Sequence, residues 1–221
     1  MSLENWTPRP RPAAKTFVGR YGHLEPLDWA RHLSGLYAVA GGEANGDLWR
    51  YMPLGPYVGE AVFQREYEAK RAQEGWETQV ILNPRGVVMG MASFMRIREA
   101  QGSAEIGAVL FGRALQRTAL ATEAVFLMAR YLFDELGYRR FEWKCNAANR
   151  ASMRAAERFG FTYEGTFRND MVTKGENRDT AWFSIIDSEW PRIRSAYEAW
   201  LDPANFDGTG RQIFRLKTKQ G

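Results

Sequence analysis

The stretch Leu115–Gly137, which reads LQRTALATEAVFLMARYLFDELG, decides the fold. It follows the strand-like run Glu105–Phe111, and from Ala121 onward its apolar residues recur with helical period. Thr118 can begin the helix as an N-cap, and Gly137 is a typical C-terminal stop. The pattern predicts a strand, a polar turn and a helix whose first backbone N–H groups are unpaired. Such a helix end is a natural phosphate site, although a plain amphipathic helix explains the local pattern equally well.

The composition is that of one substantial globular domain. The 221 residues are 45% hydrophobic and 14% aromatic, which is enough for one core. The net charge of +4 can favour anionic ligands, but no motif indicates a nucleic-acid partner. The single cysteine, Cys145, excludes an intrachain disulfide and suits a reducing cytoplasm. No apolar run is long enough to span a membrane, so we expect no membrane partner.

The predicted elements follow a mixed α/β order. We expect an extended arm over residues 1–15, a single domain over 16–200 and a loosely packed tail over 201–221. Within the domain, the periodicities predict the order β-α-α-β-β-β-α-β-α-β-β-α around one central sheet. Further predictions are N-caps at Asp28, Asn149 and Ser188, a first strand over Phe17–Leu24, a strand over Glu77–Leu82 and a second helix over Tyr57–Glu74.

Four stretches together resemble the GNAT acetyltransferases. They are EIG from residue 105, QRTALATEA from 116, NAANRASMRAAERFGFTYEGTFR from 146 and GENRDTAWFSIIDSEW from 175. The pattern N-x-x-S-x-R-x-A-E-R-x-G-F-x-x-E-G at Asn149–Gly165 is the most specific, and the nearest branch is the Rim-type group of ribosomal-protein N-terminal acetyltransferases. The resemblance covers about Phe17 to Pro191. It implies an acyl-CoA N-acyltransferase fold, with a mixed twisted sheet flanked by helices and two central strands that splay apart.

The resemblance also implies where acetyl-CoA would bind. The implied cofactor-binding residues are Val109, Leu110, Phe111, Gln116, Arg117, Thr118, Ala119, Leu120, Ala121, Thr122 and Asn149. The phosphate turn of the family usually contains glycine, and here Ala119 stands where the pattern has Gly. Alanine tolerates helical angles, but its methyl group could crowd a pyrophosphate. The charge of Arg117 could offset that crowding.

Two residues are expected to handle protons during acetyl transfer. The reaction needs a neutral amine and a proton for the departing thiolate. We expect Glu105 to take the amine proton, against the alternative of an ordinary charged strand residue. The resemblance to Rim-type proteins implies that Ser152 protonates the thiolate, a role compatible with helix capping. Neither His23 nor His32 lies near these motifs, so a cysteine–histidine nucleophile finds no support.

The acceptor site is expected between a loop and a hairpin. Trp49, Arg50 and Tyr51 lie in the loop that walls this site in the family, and Phe167 and Arg168 on the later hairpin could form the opposite wall. Aromatic residues with an arginine suit a carboxylate-bearing or peptide acceptor. A hydrophobic plug that packs the loop is an equally good interpretation of the first cluster.

The function implied by the resemblance is acetyl-CoA-dependent N-acetylation of a primary amine without a metal. The amine could belong to a protein N-terminus or to a small molecule, because the loops that select it diverge freely. The alternative is a non-catalytic acyl-CoA-binding sensor or interaction module with the same fold. We expect a cytoplasmic location and leave a homodimer open.

Overall fold

The computed structural model describes residues 3–218, which form one eight-stranded mixed sheet with helices packed against it. The strands are β1 (Phe17–Val18), β2 (His23–Pro26), β3 (Glu77–Leu82), β4 (Val88–Arg98), β5 (Ser103–Phe111), β6 (Arg140–Asn146), β7 (Thr162–Thr173) and β8 (Glu176–Ile186). Their order across the sheet is β1-β2-β3-β4-β5-β6-β8-β7. Every neighbouring pair is antiparallel except β5 and β6, which are parallel.

Five α-helices accompany the sheet in the described part of the chain. They are α1 (Trp29–Ala40), α2 (Glu60–Glu74), α3 (Ala119–Arg130), α4 (Arg150–Arg158) and α5 (Trp190–Trp200). A π-helical turn, Tyr131–Glu135, prolongs α3. The predicted fold class, a mixed α/β sheet flanked by helices, is confirmed by this architecture.

The predicted helix caps are confirmed where a short polar side chain can reach a free N–H group. Asp28 accepts from the N–H of Ala30, and Asn149 from that of Ser152. The prediction of Ser188 as a cap is wrong. The last helix begins after Glu189, without a side-chain cap, and a proline in the first turn supplies the helical backbone angle instead.

Two other predicted boundaries are wrong for reasons of backbone geometry. The first strand, predicted over Phe17–Leu24, is instead the short hairpin of β1 and β2, closed by a bond from Gly19 N–H to the Gly22 carbonyl. The second helix begins at Glu60, because Gly59 has a φ of 99°, outside the helical region. The strand predicted over Glu77–Leu82 is β3.

The central strands of the sheet diverge. Parallel pairing joins only Ser103–Ile106 of β5 to Arg140–Trp143 of β6. The rest of β5 continues along β4 through an irregular register, with Ala108 at a φ of 45°, while β6 stays paired with β8 as far as Asn146. The carboxyl ends of the two parallel strands therefore separate and leave a gap in the middle of the sheet, as the resemblance implies.

The sheet has a different environment on each face. A large apolar core lies under α3, α4 and α5 and includes Ile106 and Trp143 of the central strands. A second core joins α1 and α2 to β3 and β4. Because side chains alternate along a strand, the residues before Ile106 and after Trp143 face the other way. There Glu105 and Lys144 form part of a buried charged cluster.

Segments near both ends of the described chain lie against the domain. Near the N-terminus, the indole of Trp6 donates to the carbonyl of Ala100 at 2.9 Å. Near the C-terminus, Asn205 is buried and its amide donates to the carbonyls of Trp200 and Phe214. The outer ends of the predicted arm and tail, residues 1–2 and 219–221, lie outside the described residues. Of the helices described, none is long and apolar enough to cross a membrane.

Candidate functional site

A cavity of about 1500 Å³ opens between the end of β5, the N-terminus of α3, helix α4 and the C-terminal tail. Its lining includes most of the residues predicted to bind the cofactor: Val109, Leu110, Phe111, Gln116, Arg117, Thr118, Ala119, Ala121, Thr122 and Asn149. Leu120 is absent from that lining because its side chain packs in the large core. One cavity thus brings together residues from three separate elements.

The N-terminus of α3 faces this cavity. Thr118 has extended angles, φ −97° and ψ 164°, and its hydroxyl oxygen accepts from the N–H of Ala121 at 3.2 Å. The same hydroxyl donates to the carbonyl of Leu115 at 2.7 Å, which fixes the turn before the helix. The N–H groups of Ala119 and Leu120, the first two of α3, have no acceptor within the helix. They offer donors and a positive dipole end to an anion in the cavity.

Because this turn contains no glycine, a residue with a side chain takes its left-handed conformation. Ala119 is the first residue of α3 and takes helical angles, so a methyl group causes no backbone strain there. The left-handed residue is Arg117, with a φ of 62°. A side chain in that conformation costs about 1–2 kcal/mol, and Arg117 is one of the residues that line the cavity.

Further arginines line the cavity, and they were not among the predicted cofactor-binding residues. Arg158 of α4 donates to the Thr122 hydroxyl at 3.0 Å and lies over the ring of Trp200, and within residues 3–218 it has no acidic partner. Arg211 and Arg215 come from the C-terminal tail. Arg158 is the arginine of A-E-R in the Asn149–Gly165 pattern, so the sequence could have identified it. The tail has no periodicity from which the positions of Arg211 and Arg215 could be predicted. The three charges make this end of the cavity suitable for phosphates.

Ser152 lies at the inner end of the cavity. Its hydroxyl oxygen accepts from the indole N–H of Trp143 at 3.0 Å, and its backbone N–H donates to Asn149 at 3.1 Å. Because its oxygen accepts from Trp143, the Ser152 hydroxyl can direct its own hydrogen to a different acceptor, and the Cys145 sulfur is one such neighbour. Burial raises the pKa of the neighbouring Cys145 thiol, and a hydrogen bond with Ser152 opposes that shift.

Glu105 lies outside the cavity lining, on the opposite face of the sheet. Its carboxylate is 3.0 Å from the ammonium of Lys144 and 3.2 Å from the guanidinium of Arg96. Lys144 also contacts the buried carboxylate of Glu142 at 3.2 Å. The predicted base is therefore buried and already has two cationic partners.

The two carboxylates that share Lys144 have opposite pKa shifts. Burial raises the pKa of Glu105, and Lys144 and Arg96 only partly oppose it. Burial also acts to raise the pKa of Glu142, but the cations around that residue outweigh burial and lower it. Those cations are Arg140, Lys144 and Arg98. Paired acids with separated pKa values can divide into a proton acceptor and a permanent anion, and here Glu105 is the one that accepts a proton more readily.

The predicted acceptor loop divides between the core and the cavity. Trp49 is fully buried in the second core, where its indole donates to the Ala40 carbonyl at 2.7 Å. Trp49 therefore packs the loop as a hydrophobic plug, which was the alternative to a role in the acceptor site. Tyr51 lines the cavity, and the exposed Arg50 lies over its ring. Lys174 of the β7–β8 turn donates to the Trp49 carbonyl at 2.9 Å and so joins the loop to the hairpin.

The predicted opposite wall lies away from the main cavity. Phe167 is half exposed and packs on Trp182, with ring centroids 4.8 Å apart. It borders a smaller hollow of about 600 Å³ on the charged face of the sheet. Arg168 is exposed on β7. Within residues 3–218, no cluster of His, Cys, Asp and Glu side chains could hold a metal ion.

Comparisons with known proteins agree with this architecture. A family model described as an acetyltransferase (GNAT) domain matches residues 23–162. The crystal structure of a GCN5-related N-acetyltransferase from Brucella melitensis is 46% identical, covers 97% of each chain and superposes with a TM-score of 0.91. A GNAT-family structure from Chromobacterium violaceum is 38% identical, covers 86% of this chain and 96% of that chain, and has a TM-score of 0.81.

A curated relative is more distant. YdaF of Bacillus subtilis, provisionally named a ribosomal N-acetyltransferase, is 28% identical over 105 residues. That match covers 48% of this chain and 57% of YdaF, so it spans little more than half of the relative.

Proposed function

Because the chain belongs to the GNAT acetyltransferase family, we propose that it transfers the acetyl group of acetyl-CoA to a primary amine by direct attack on the thioester. The observation that carries the proposal is the cavity itself. It extends from the N-terminus of α3 to both strands that border the gap, since Val109 of β5 and Trp143 of β6 line it. A ligand bound there can hold phosphates at one end and present a thioester at the other.

We propose that acetyl-CoA lies along the cavity with its phosphates near the N-terminus of α3 and its thioester near Ser152. Its pyrophosphate accepts hydrogen bonds from the first N–H groups of α3, beside Arg117. Its remaining phosphate charge lies toward Arg158 and the tail arginines Arg211 and Arg215. The pantetheine arm passes the end of β5 and Asn149, and this brings the thioester to Ser152 at the inner end.

The chemistry then needs two proton transfers and no covalent enzyme intermediate. The amine nitrogen attacks the thioester carbon, a C–N bond forms, and the C–S bond breaks. Ser152 supplies its hydroxyl proton to the departing thiolate, and its oxygen then regains a proton from solvent. The amine loses its proton to Glu105, directly or through a water molecule, and the raised pKa of that carboxyl favours the transfer. Lys144 offsets the negative charge of Glu105 when that carboxyl is ionised.

We also propose a class of acceptor and a cellular location. The Rim-type pattern at Asn149–Gly165 and the similarity to YdaF favour a protein N-terminus over other amines. A reducing cytoplasm suits a chain whose only cysteine, Cys145, is a buried free thiol.

One observation favours a second function, an acyl-CoA-binding module without turnover. Glu105, the proposed base, is already paired with Lys144 and Arg96. The experiment that separates the two functions has two steps. Thermal shift during titration with acetyl-CoA measures binding, and a panel of amines with mass detection of products measures transfer. Binding with an acetylated product supports the enzyme, binding without any product supports the module, and absence of binding contradicts both.

A further inference from the structure

Strand β8 carries a row of buried polar groups that lack partners. Arg178, Thr180 and Trp182 occupy alternate positions and so share one face of the sheet. Within residues 3–218, three of their side-chain atoms are buried without a hydrogen bond: Nε of Arg178, Oγ1 of Thr180 and Nε1 of Trp182. Native proteins pair nearly all such groups, so a row of three on one face offers hydrogen-bonding atoms to a polar ligand.

Arg178 differs from the cations around it. Lys144 and Arg96 on the same face each contact the carboxylate of Glu105. The half-buried guanidinium of Arg178 forms no ion pair with any residue in the described part of the chain. A partly desolvated arginine is stabilised by an anion that can accept two parallel hydrogen bonds.

The row lies beside the gap between β5 and β6. Lys144 pairs with Trp182 and Asn146 with Thr180 in the β6–β8 register, and the N–H of Ala147 donates to the carbonyl of Asp179 at 2.9 Å. Arg178 therefore adjoins the end of β6, where that strand has separated from β5. Trp182 is held in place on both sides, since Lys144 lies 3.9 Å from its ring centroid and Phe167 packs on it.

Charges of both signs surround this position. Burial lowers the pKa of Arg178. The nearby groups Cys145, Glu105 and Asp170 act electrostatically to raise it. Arg178 thus lies on the face of the sheet that carries Lys144 and Glu105, and the carboxylate of Glu105 would attract an ammonium.

We propose that Arg178, with Thr180 and Trp182, binds a carboxylate of the acceptor, so that the preferred acceptors are amines that carry a carboxylate. This inference rests on the proposed acetyl transfer. The carboxylate accepts from the guanidinium and the indole, while the ammonium lies toward Glu105. A zwitterionic acceptor satisfies both ends of the site, whereas a polyamine leaves the arginine unpaired and adds positive charge beside it.

The test compares acceptors that differ only in the carboxylate. Amino acids and their carboxamides form one set, and peptides with glutamate or glutamine as second residue form another. Because an amide changes the pKa of the neighbouring amine, the readout is how the acid-to-amide ratio of kcat/KM changes between protein variants. The proteins are the wild type, Arg178→Gln, Arg178→Lys, and Arg85→Gln as a control in the exposed β3–β4 turn.

Arg178→Gln is expected to lower that ratio by about 10- to 100-fold. Arg178→Lys should restore part of it, and Arg85→Gln should leave it unchanged. Loss confined to the amino-acid set identifies an α-carboxylate as the ligand, and loss confined to the peptides identifies an acidic side chain. An unchanged ratio in a folded, active Arg178→Gln protein would overturn the inference and leave the proposed function standing.

A second measurement does not depend on turnover. Calorimetric titration of the CoA-bound protein with an acid and its amide should show tighter binding of the acid, and Arg178→Gln should abolish the difference. Equal binding of acid and amide by the wild type contradicts the inference. A wild type that binds the acid but acetylates no acceptor contradicts the proposed function instead.

Discussion

The ammonium of Lys144 lies 3.0 Å from the carboxylate of Glu105, so the proposed proton acceptor is joined to a buried cation before any substrate arrives. Lys144 has little freedom, since it is 5% exposed and also contacts Glu142 and the ring of Trp182. The pair therefore acts as a unit. Loss of the Glu105 charge changes both the proton acceptor and the electrostatic balance beside the gap.

Replacement of Glu105 by Gln should cause a large fall in kcat/KM at neutral pH. The variant should recover partly at high pH, where more of the amine is already neutral, and its affinity for acetyl-CoA should hardly change. In the wild type, the rate should rise with pH through a pKa above the ordinary 4.5 of a glutamate, because burial raises the pKa of Glu105. The pH–rate profile measures this. A Gln variant with the wild-type profile would place the base elsewhere, and Glu176→Gln at the exposed start of β8 is the control.

Replacement of Ser152 by Ala should lower kcat more than it weakens cofactor binding. A well-placed proton donor contributes roughly 10²- to 10⁴-fold to the rate. The variant also leaves the indole N–H of Trp143 unpaired, which costs about 1–3 kcal/mol of stability. Steady-state kinetics and thermal unfolding separate the two effects. A destabilised variant with normal kcat would limit Ser152 to a structural role.

Replacement of Ala119 by Pro removes one N–H group from the proposed phosphate site. The fold should tolerate it, because Ala119 is the first residue of α3 and the extended angles of Thr118 suit a residue before proline. The Kd of acetyl-CoA should rise by at least about tenfold, as a hydrogen bond to a charged group is lost. Calorimetric titration provides the measurement, and Ala119→Gly, which keeps the N–H group, provides the control. Unchanged affinity in the folded Pro variant would exclude this helix end as the phosphate site.

Replacement of Arg158 by Gln should weaken CoA binding and reduce its dependence on salt. The Arg158 guanidinium lies in the cavity without an acidic partner among the described residues, so a phosphate is its expected counterion. We expect a Kd about tenfold higher at low ionic strength, with a smaller difference at high ionic strength. Arg194→Gln, at a surface ion pair on α5, should behave as the wild type. Equal salt dependence in both variants would mean that Arg158 does not contact phosphate.

Glu142 should make the free energy of unfolding depend on pH. The surrounding cations outweigh burial and hold its folded pKa below 4.5, its ordinary value. A pKa that is lower in the folded state adds to the free energy of unfolding at pH values above the pKa of the unfolded state. That contribution is lost as the pH falls through the pKa of the folded state. Replacement by Gln should cost about 3 kcal/mol at neutral pH and flatten the loss of stability below about pH 4.5. Denaturant unfolding at several pH values measures both effects, and an unaltered pH dependence in the variant would contradict this role.

The parts that could be predicted from the sequence depend on local physics. The caps at Thr118 and Asn149 follow from short side chains beside a helical pattern. The contacts of Lys144 with Glu105 could not be predicted, because they depend on the register of two parallel strands far apart in the chain. Arg178 gave no signal either, since a strand pattern does not reveal which polar residue lacks a partner.

The boundaries that were wrong share a cause. The hairpin within Phe17–Leu24 and the start of the helix after Glu189 are set by backbone turns and packing rather than by period. The cavity wall formed by Arg211 and Arg215 depends on the tail folding back, which buried Asn205 anchors through bonds to Trp200 and Phe214. Tertiary contacts of this kind leave no periodic trace in the sequence.

The most direct test of the central claim is the release of free CoA from acetyl-CoA, measured with and without a primary amine by wild-type protein and Ser152→Ala. We predict that the wild type releases CoA only when amine is present, in equal amount to an acetylated product seen by mass spectrometry, and that the Ser152 variant does so much more slowly. Protein that binds acetyl-CoA yet releases CoA at the same rate with or without amine, and forms no acetylated product, would contradict the account.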